Sequence, residues 1–150
     1  MEKRLKISIS ALFFAVVLVA LSFIFWRIDK KGPSNIVKIE KSSFMVEVVT
    51  SPAAREQGLS GRKSLCQGCG MLFVFEKEGR YPFWMKGMEF DLDMIWIKNG
   101  RIVFIERNVN HAGGEKNVID PGVLAEAVLE LPAGESARSG IKIGSEVFFE

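Results

Sequence analysis

The two cysteines of the chain are separated by two residues, in the segment Cys66-Gln67-Gly68-Cys69. This spacing suits a redox-active dithiol, half of a zinc site or a structural disulfide. A reactive thiol is usually activated at a helix N-terminus, but Gly70 and a predicted strand follow here. Zinc needs further ligands, and the sequence offers only His111 and scattered carboxylates. The pattern favours a disulfide between Cys66 and Cys69 in an oxidising compartment, with a thiol or metal protein as the alternative.

Two carboxylates interrupt predicted strands that are otherwise apolar. Asp93 lies in the segment 92–97, on the face of Ile95 and Ile97, and Glu130 lies in the segment 123–131. A carboxylate in such a position needs hydrogen-bond donors, because a buried charge without partners is costly. Two carboxylates on one surface could also hydrolyse a glycosidic bond. Asp93 with Glu130, or Asp93 with Asp91, is therefore a candidate pair for a hydrolase that acts on an envelope polymer.

Three cations and one aromatic residue could form a small binding pocket with Asp93. The cations are Arg55, Arg62 and Lys86, and the aromatic residue is Trp84. Such a pocket near Trp84 and Asp93 would suit a modest polar ligand, for example a saccharide or another envelope component. The alternative is purely structural, with Trp84 and Met85 in the core and Lys86 in solvent.

The elements that must position these residues are mostly short strands separated by Gly and Asn turns. Runs that are apolar at both alternating positions predict central strands covered on both faces. Ser51-Pro52 begins a short helix that Gly58 ends. Glu76–Arg80 predicts a hairpin turn, Asn99-Gly100 a second one, and 108–120 a long loop. The predicted strands are 36–40, 44–50, 71–75, 81–85, 92–97, 101–109, 123–131 and 146–149.

This arrangement predicts a mainly β fold. We expect a β-rich α+β domain, compact, antiparallel and barrel-like, with one or two short helices.

The chain also resembles the prokaryotic domain of unknown function family numbered 192, from about Phe44 to the C-terminus. The joint presence of its motifs in order is specific, although each motif alone is weak. The resemblance implies a compact β-rich domain that is often secreted, and it implies no established activity. The matching residues are Arg55, Gly58-Leu59, Arg62, Gly70–Phe75, Phe83–Lys86, Leu92-Asp93 and Leu129–Gly134.

The chain departs from the family pattern after Lys86 and before Leu92. The family usually has Asn-Thr and Pro at these places, where this chain has Gly87-Met88 and Asp91. Both arginines belong to the pattern, which supports a role beyond surface solvation. Because the motif of Arg62 recurs with Leu92-Asp93, we expect Arg62 to pair with Asp93 and to form the polar floor of the pocket. We also include Met85, next to Trp84, and Glu130 among the ligand-binding candidates.

The N-terminal part has the composition of a membrane segment. Residues 1–6 form a basic flank, and 7–28 a predicted transmembrane anchor or signal segment, because no charge occurs from Ile7 to Trp26. Residues 29–35 read as a linker and 36–150 as a single β-rich extracytoplasmic domain. We expect a single-pass membrane protein with the domain outside the cytoplasm, and secretion after signal cleavage as the alternative.

Charge argues against a nucleic-acid partner. The net charge of +2 comes from the N-terminal flanks, where six Lys and Arg residues outnumber two acidic residues. The remaining domain is mildly acidic, whereas a nucleic-acid protein carries its basic excess on the folded domain. The sequence indicates no cofactor. We expect a binding or accessory domain of unidentified ligand rather than an enzyme.

Overall fold

The computed structural model describes residues 35–150. The predicted membrane segment 7–28 lies outside the described residues. Within 35–150, no helix is both long and apolar enough to cross a membrane.

The described part of the chain is mainly β, as the sequence predicts, with a few short helices. Its elements are β1 (Asn35–Ile39), β2 (Ser42–Val49), α1 (Pro52–Gln57), β3 (Cys69–Gly79), β4 (Phe83–Trp84), β5 (Leu92–Lys98), β6 (Arg101–Val109), a 3-10 helix (His111–Lys116), β7 (Val118–Ile119), β8 (Ala125–Pro132), α2 (Glu135–Arg138) and β9 (Val147–Phe149).

Seven strands form one sheet in the order β6-β5-β8-β3-β2-β1-β9. The sheet curls into a half-barrel, and its two edge strands meet at one end. There the Ile102 amide donates to the Ser145 carbonyl over 3.0 Å and the Val147 amide donates to the Gly100 carbonyl over 2.8 Å. These bonds satisfy edge groups that would otherwise be open to pairing with another chain.

The expectation of an antiparallel sheet is wrong for one pair of strands. β2 and β3 run parallel, with register from Met45 opposite Cys69 to Val49 opposite Phe73. A parallel pair needs a crossover of a dozen or more residues, which 50–68 provides together with α1. The other neighbouring pairs of the large sheet are antiparallel.

The predicted hairpin turn at Glu76–Arg80 is also wrong. β3 continues to Gly79, which pairs with Ala125 of β8 after an irregularity in the register. β4 does not join the large sheet but pairs with β7, Phe83 opposite Ile119. The predicted loop 108–120 therefore contains two regular elements, β7 and the 3-10 helix. β7 supplies the hydrogen-bonding partner for the backbone of β4.

The large sheet is covered by apolar residues on both faces, which confirms the prediction of central strands for β3 and β5. The same prediction is wrong for 81–85, where β4 lies outside the large sheet. We call the face that carries Ile95 and Leu129 the inner face, because its buried cluster draws on every strand of the large sheet. The outer face carries Met94 and Val128, and Leu59 and other residues from outside the sheet complete its buried cluster. Strand alternation thus assigns each residue of β5 and β8 to one of two separate environments.

Candidate functional site

A cleft of about 340 Å³ opens on the outer face, between α1, β3 and the segment around β4. Its walls are rich in aromatic rings, and a single acidic residue of the sheet reaches it. We call it the aromatic cleft and define it by six of its lining residues: Phe73, Phe75, Tyr81, Phe83, Trp84 and Glu130.

The wall formed by α1 is fixed by local features of the sequence. The Ser51 hydroxyl caps the helix by accepting from the Ala54 amide over 3.3 Å. Gly58 ends the helix at φ +48°, and a Cβ there would lie 3.5 Å from the Phe73 ring. The following Ser60 hydroxyl donates to the Lys86 carbonyl over 2.7 Å. The two walls of the cleft are therefore tied to each other.

The aromatic residues pack against one another as well as lining the cleft. Phe75 and Tyr81 stack with ring centroids 3.5 Å apart, and Phe73 meets Phe83 edge-on at 4.9 Å. Such ring pairs contribute roughly 0.5–1.5 kcal/mol beyond the area they bury. Trp84 is the exception, because 47% of its surface remains exposed. The cleft thus has rigid inner walls and an exposed indole at its rim.

Glu130 supplies the acidic group of the cleft. It lies on β8 between Met71 of β3 and Met94 of β5, and only 4% of its surface is exposed. Within residues 35–150 the carboxyl group of Glu130 makes no hydrogen bond. Both of its oxygens keep some contact with solvent. Burial raises the pKa of Glu130 to about 8. The carboxyl group is therefore mostly protonated at neutral pH and faces the cleft without a protein partner.

The cations that line the cleft already have partners. Arg55 donates to the carbonyls of Thr50 and Val74, the latter over 3.1 Å, and its guanidinium lies 5.1 Å from the centroid of the Phe75 ring. Lys86 is exposed and forms an ion pair of 2.6 Å with Glu115. Neither cation lowers the pKa of Glu130, which is raised by burial.

Asp93 does not belong to this cleft. It points to the inner face and is fully buried. Its carboxylate accepts from the backbone amides of Asn108 (2.9 Å), Gly134 (3.1 Å) and Ser136 (2.9 Å), and from the Ser136 hydroxyl (2.6 Å). Four donors satisfy a buried carboxylate without a cation. Asp93 therefore organises the loop at the start of α2.

The predicted pair between Arg62 and Asp93 is wrong. Arg62 instead forms a bidentate ion pair with Glu47, with distances of 2.5 and 2.7 Å. This hydrogen bond lowers the pKa of Glu47. Both side chains are partly exposed, so the pair adds little to stability.

The hypothetical carboxylate pairs do not form either. In the register of β5 and β8, Glu130 lies opposite Met94 and Asp93 opposite Leu131, so the two carboxyl groups point to opposite faces. Asp91 binds His111 instead, accepting from its amide over 2.9 Å and lying 2.6 Å from Nδ1. This contact lowers the pKa of Asp91. The geometry gives no support to a hydrolase built on Asp93.

Cys66 and Cys69 form a disulfide with a Cα–Cα distance of 5.2 Å. It closes the turn before β3, and neither cysteine of the chain is free. Among residues 35–150, no group of three or more His, Cys, Asp and Glu side chains is placed to hold a metal ion.

Four of the seven predicted ligand-binding residues line the aromatic cleft. They are Arg55, Trp84, Lys86 and Glu130. Met85 is fully buried beneath it, in the outer core cluster. The aromatic rings of β3 and of the segment before Trp84 also line the cleft, although their sequence pattern predicted only strands. The density of Phe and Tyr between 73 and 83 was the signal that could have identified them.

The fold and the cleft define a small mainly β domain with an aromatic cleft that contains a buried acidic residue. Residues 35–149 match the model of the DUF192 family, described as "Uncharacterized ACR", and the chain belongs to this family. A search of curated proteins found no match.

Two crystal structures have a similar fold. One is a protein from Sinorhizobium meliloti 1021 described as a "putative transcription regulator", with 32% identity and a TM-score of 0.72 over 77% of this chain and 93% of that one. The other is a protein of unknown function from Novosphingobium aromaticivorans DSM 12444, with 28% identity and a TM-score of 0.69 over 75% and 83% of the two chains.

Proposed function

We propose that this protein is a membrane-anchored, extracytoplasmic binding or accessory domain whose aromatic cleft takes a small organic ligand. The observation that carries the proposal is Glu130, a buried carboxyl group without a protein partner that lines a cleft of aromatic rings. Within residues 35–150 its oxygens have no hydrogen-bond partner and stay open to solvent, so a ligand that bonds to Glu130 would replace water there.

The dimensions and chemistry of the cleft support the same function. Its volume of about 340 Å³ is within the usual range for small-molecule sites. Largely apolar walls with a few polar groups are typical of such sites. The half-exposed Trp84 lies where a ligand would enter, and an exposed indole has no evident structural purpose there.

The location outside the cytoplasm is supported by two independent features. Residues 7–26 carry no charge over a span that suits a membrane helix. The disulfide of Cys66 and Cys69 is of a kind that persists in oxidising compartments. The membrane is thus the proposed partner of the N-terminal segment, and an envelope component is a possible source of the ligand.

A nucleic-acid partner is not part of this proposal, although one similar structure is described as a "putative transcription regulator". Residues 1–34 hold six basic and two acidic residues, so the net charge of +2 becomes −2 for residues 35–150. A domain with this balance lacks the basic excess that supplies most of the affinity for a phosphate backbone.

The test is a thermal-shift and calorimetric screen of small organic molecules against the purified full chain. We expect at least one ligand to raise the melting temperature, and Trp84→Ala to weaken its binding about tenfold through loss of one aromatic contact. Phe148→Ala is the matched control, because Phe148 is an exposed ring on β9 outside the cleft. Equal losses in both variants, or ligands that bind only elsewhere, would remove the cleft from consideration.

A further inference from the structure

We propose, building on the proposed function, that the aromatic cleft binds a small organic cation of the alkylammonium class, with the Glu130 carboxylate as its counter-ion. The proposal names the chemical class of the ligand, which the comparisons with known proteins leave open.

The walls of the cleft offer the chemistry that recognises such a cation. The faces of aromatic rings attract organic cations with about 0.5–2 kcal/mol per contact, and most strongly when water is excluded. Phe73, Tyr81, Phe83 and Trp84 line one space and offer such surfaces. Phe75 is already stacked on Tyr81 and lies under the Arg55 guanidinium. Quaternary and methylated ammonium groups are weakly hydrated, and they therefore gain from leaving water for such an environment.

A saccharide fits the same walls less well, because the polar side chains there already donate within the protein. Gln57 donates to the Ser60 carbonyl over 3.2 Å, and the Tyr81 hydroxyl donates to the Lys77 carbonyl over 2.6 Å. The Ser60 hydroxyl and Arg55 likewise bind backbone carbonyls. A ligand with many hydroxyl groups would leave several of them without partners, which is costly in an enclosed site.

Glu130 faces no protein cation that could replace the ligand. The charged groups that line the cleft are Arg55 and Glu56 of α1 and Lys86 after β4, and the titratable Tyr81 precedes β4. On the neighbouring strands its register partners are Met71 and Met94, which do not titrate. Arg55 and Lys86 are engaged by carbonyls and by Glu115. A cationic ligand is therefore the missing partner of the carboxylate.

Binding of a cation releases a proton from Glu130, which distinguishes it from binding of a neutral ligand. Because burial raises the pKa of Glu130 to about 8, the free protein holds a proton there at neutral pH. Binding a cation requires the ionised carboxylate, so that proton is released to the buffer. Affinity should then rise by up to about tenfold per pH unit below the pKa and level off above it. A neutral ligand that accepts from the protonated carboxyl would show the opposite trend.

The experiment compares choline with its uncharged isostere 3,3-dimethyl-1-butanol, by titration calorimetry on the purified full chain. Measurements at pH 6.5 and pH 9 in two buffers of different ionisation enthalpy give both the affinity and the number of protons released. We expect choline to bind about tenfold more tightly than the isostere, since only choline gains the charge interaction. It should release about one proton at pH 6.5 and almost none at pH 9.

Two variants make the test specific to Glu130. Glu130→Gln should reduce choline binding about tenfold or more and abolish the proton release, whereas binding of the isostere should persist. Glu126→Gln is the matched control, because Glu126 lies on the same strand but does not line the cleft. Circular dichroism of Glu130→Gln would verify that the variant is folded.

The remaining outcomes separate this inference from the proposed function. Equal affinity for both compounds, or affinity that falls as pH rises, would overturn the cation assignment while a small-ligand site remains. If neither compound binds and the broader screen is also negative, both proposals fail together.

Discussion

Asp93 and Glu130 are buried carboxyl groups on adjacent strands, and their surroundings assign them different roles. Asp93 accepts four hydrogen bonds and is a structural residue. Glu130 has none within the described chain, and we propose it as the residue that binds a ligand. The difference follows from strand alternation, which sends them to opposite faces of the sheet.

Replacing Asp93 by Asn should destabilise the domain by about 3 kcal/mol, because an amide group would face donors that now bind the carboxylate. Urea unfolding at neutral pH would measure the change. Asp120→Asn is the control, since Asp120 is exposed and accepts only from the Gly122 amide of its own turn. A neutral Asp93→Asn would contradict the role assigned to this network.

Arg62 should not be coupled to Asp93. A double-mutant cycle with Arg62→Met and Asp93→Asn should be additive to within about 0.5 kcal/mol, because the two side chains have different partners. The cycle of Arg62→Met with Glu47→Gln should instead show a small coupling, about 1 kcal/mol or less, as expected of a partly exposed ion pair. Strong coupling to Asp93 would restore the pairing that the sequence suggested.

Glu130 should make stability depend on pH in a defined window. The pKa of Glu130 is about 8 in the folded domain and near the ordinary 4.5 when unfolded, so the unfolded state loses this proton first. The contribution of Glu130 to the free energy of unfolding is therefore fully present below pH 4.5. It falls as pH rises to about 8, by up to about 1.4 kcal/mol per pH unit. Glu130→Gln should remove this decline, as urea unfolding at pH 5, 7 and 9 would reveal. Parallel curves for the two proteins would show that Glu130 does not titrate in this way.

Within β3, Gly70 is required by close packing and not by its backbone angles. A Cβ on Gly70 would lie 2.7 Å from the Glu130 carbonyl oxygen and 2.8 Å from the Leu131 side chain. The central strands β3 and β8 approach each other closely at this point. This explains why the sequence has a glycine at the start of an otherwise apolar strand.

Gly70→Ala should cost about 1–3 kcal/mol, because the added methyl group forces two central strands apart. Thermal unfolding would measure the loss. Gly144→Ala serves as the comparison, since a methyl group there meets nothing within 4 Å but lies at φ +90° and so carries only backbone strain. A smaller effect at Gly70 than at Gly144 would contradict the packing argument.

The disulfide should determine the shape of its turn more than it stabilises the domain. It spans three residues in sequence, and so short a loop removes only about 2 kcal/mol of unfolded-state entropy at most. The Met45 amide also holds the turn by donating to the Gly68 carbonyl over 2.8 Å. The double variant Cys66→Ser/Cys69→Ser should stay folded with a loss within this limit, and reduction of the wild type should have the same effect. Complete unfolding of either form would show that the turn depends on the bond.

For the molecule as a whole, the testable property is the proposed location of the domain outside the cytoplasm. Alkaline phosphatase fused to the C-terminus should be active, because that enzyme needs an oxidising compartment, as the disulfide does. Deleting residues 7–28 should abolish the activity and leave a green fluorescent protein fusion fluorescent. A phosphatase fusion that is inactive with the segment intact would place the domain in the cytoplasm.

The sequence alone determined the local features of the described chain. Apolar runs predicted β3 and β5 as central strands, and Ser51-Pro52 with Gly58 predicted α1 between 52 and 57. These predictions succeed because side-chain period, capping and turn chemistry act over a few neighbouring residues. The family motifs predicted the family, which the match over residues 35–149 confirms.

Only the tertiary structure decided which strands pair and which residues meet. The donors to Asp93 lie 15 to 43 residues away along the chain, and the partner of Arg62 lies 15 residues before it. β2 and β3 pair in parallel across a crossover, and that crossover brings α1 over the outer face beside Glu130. Local patterns cannot specify such contacts, because they depend on how distant segments pack to bury both faces of one curled sheet.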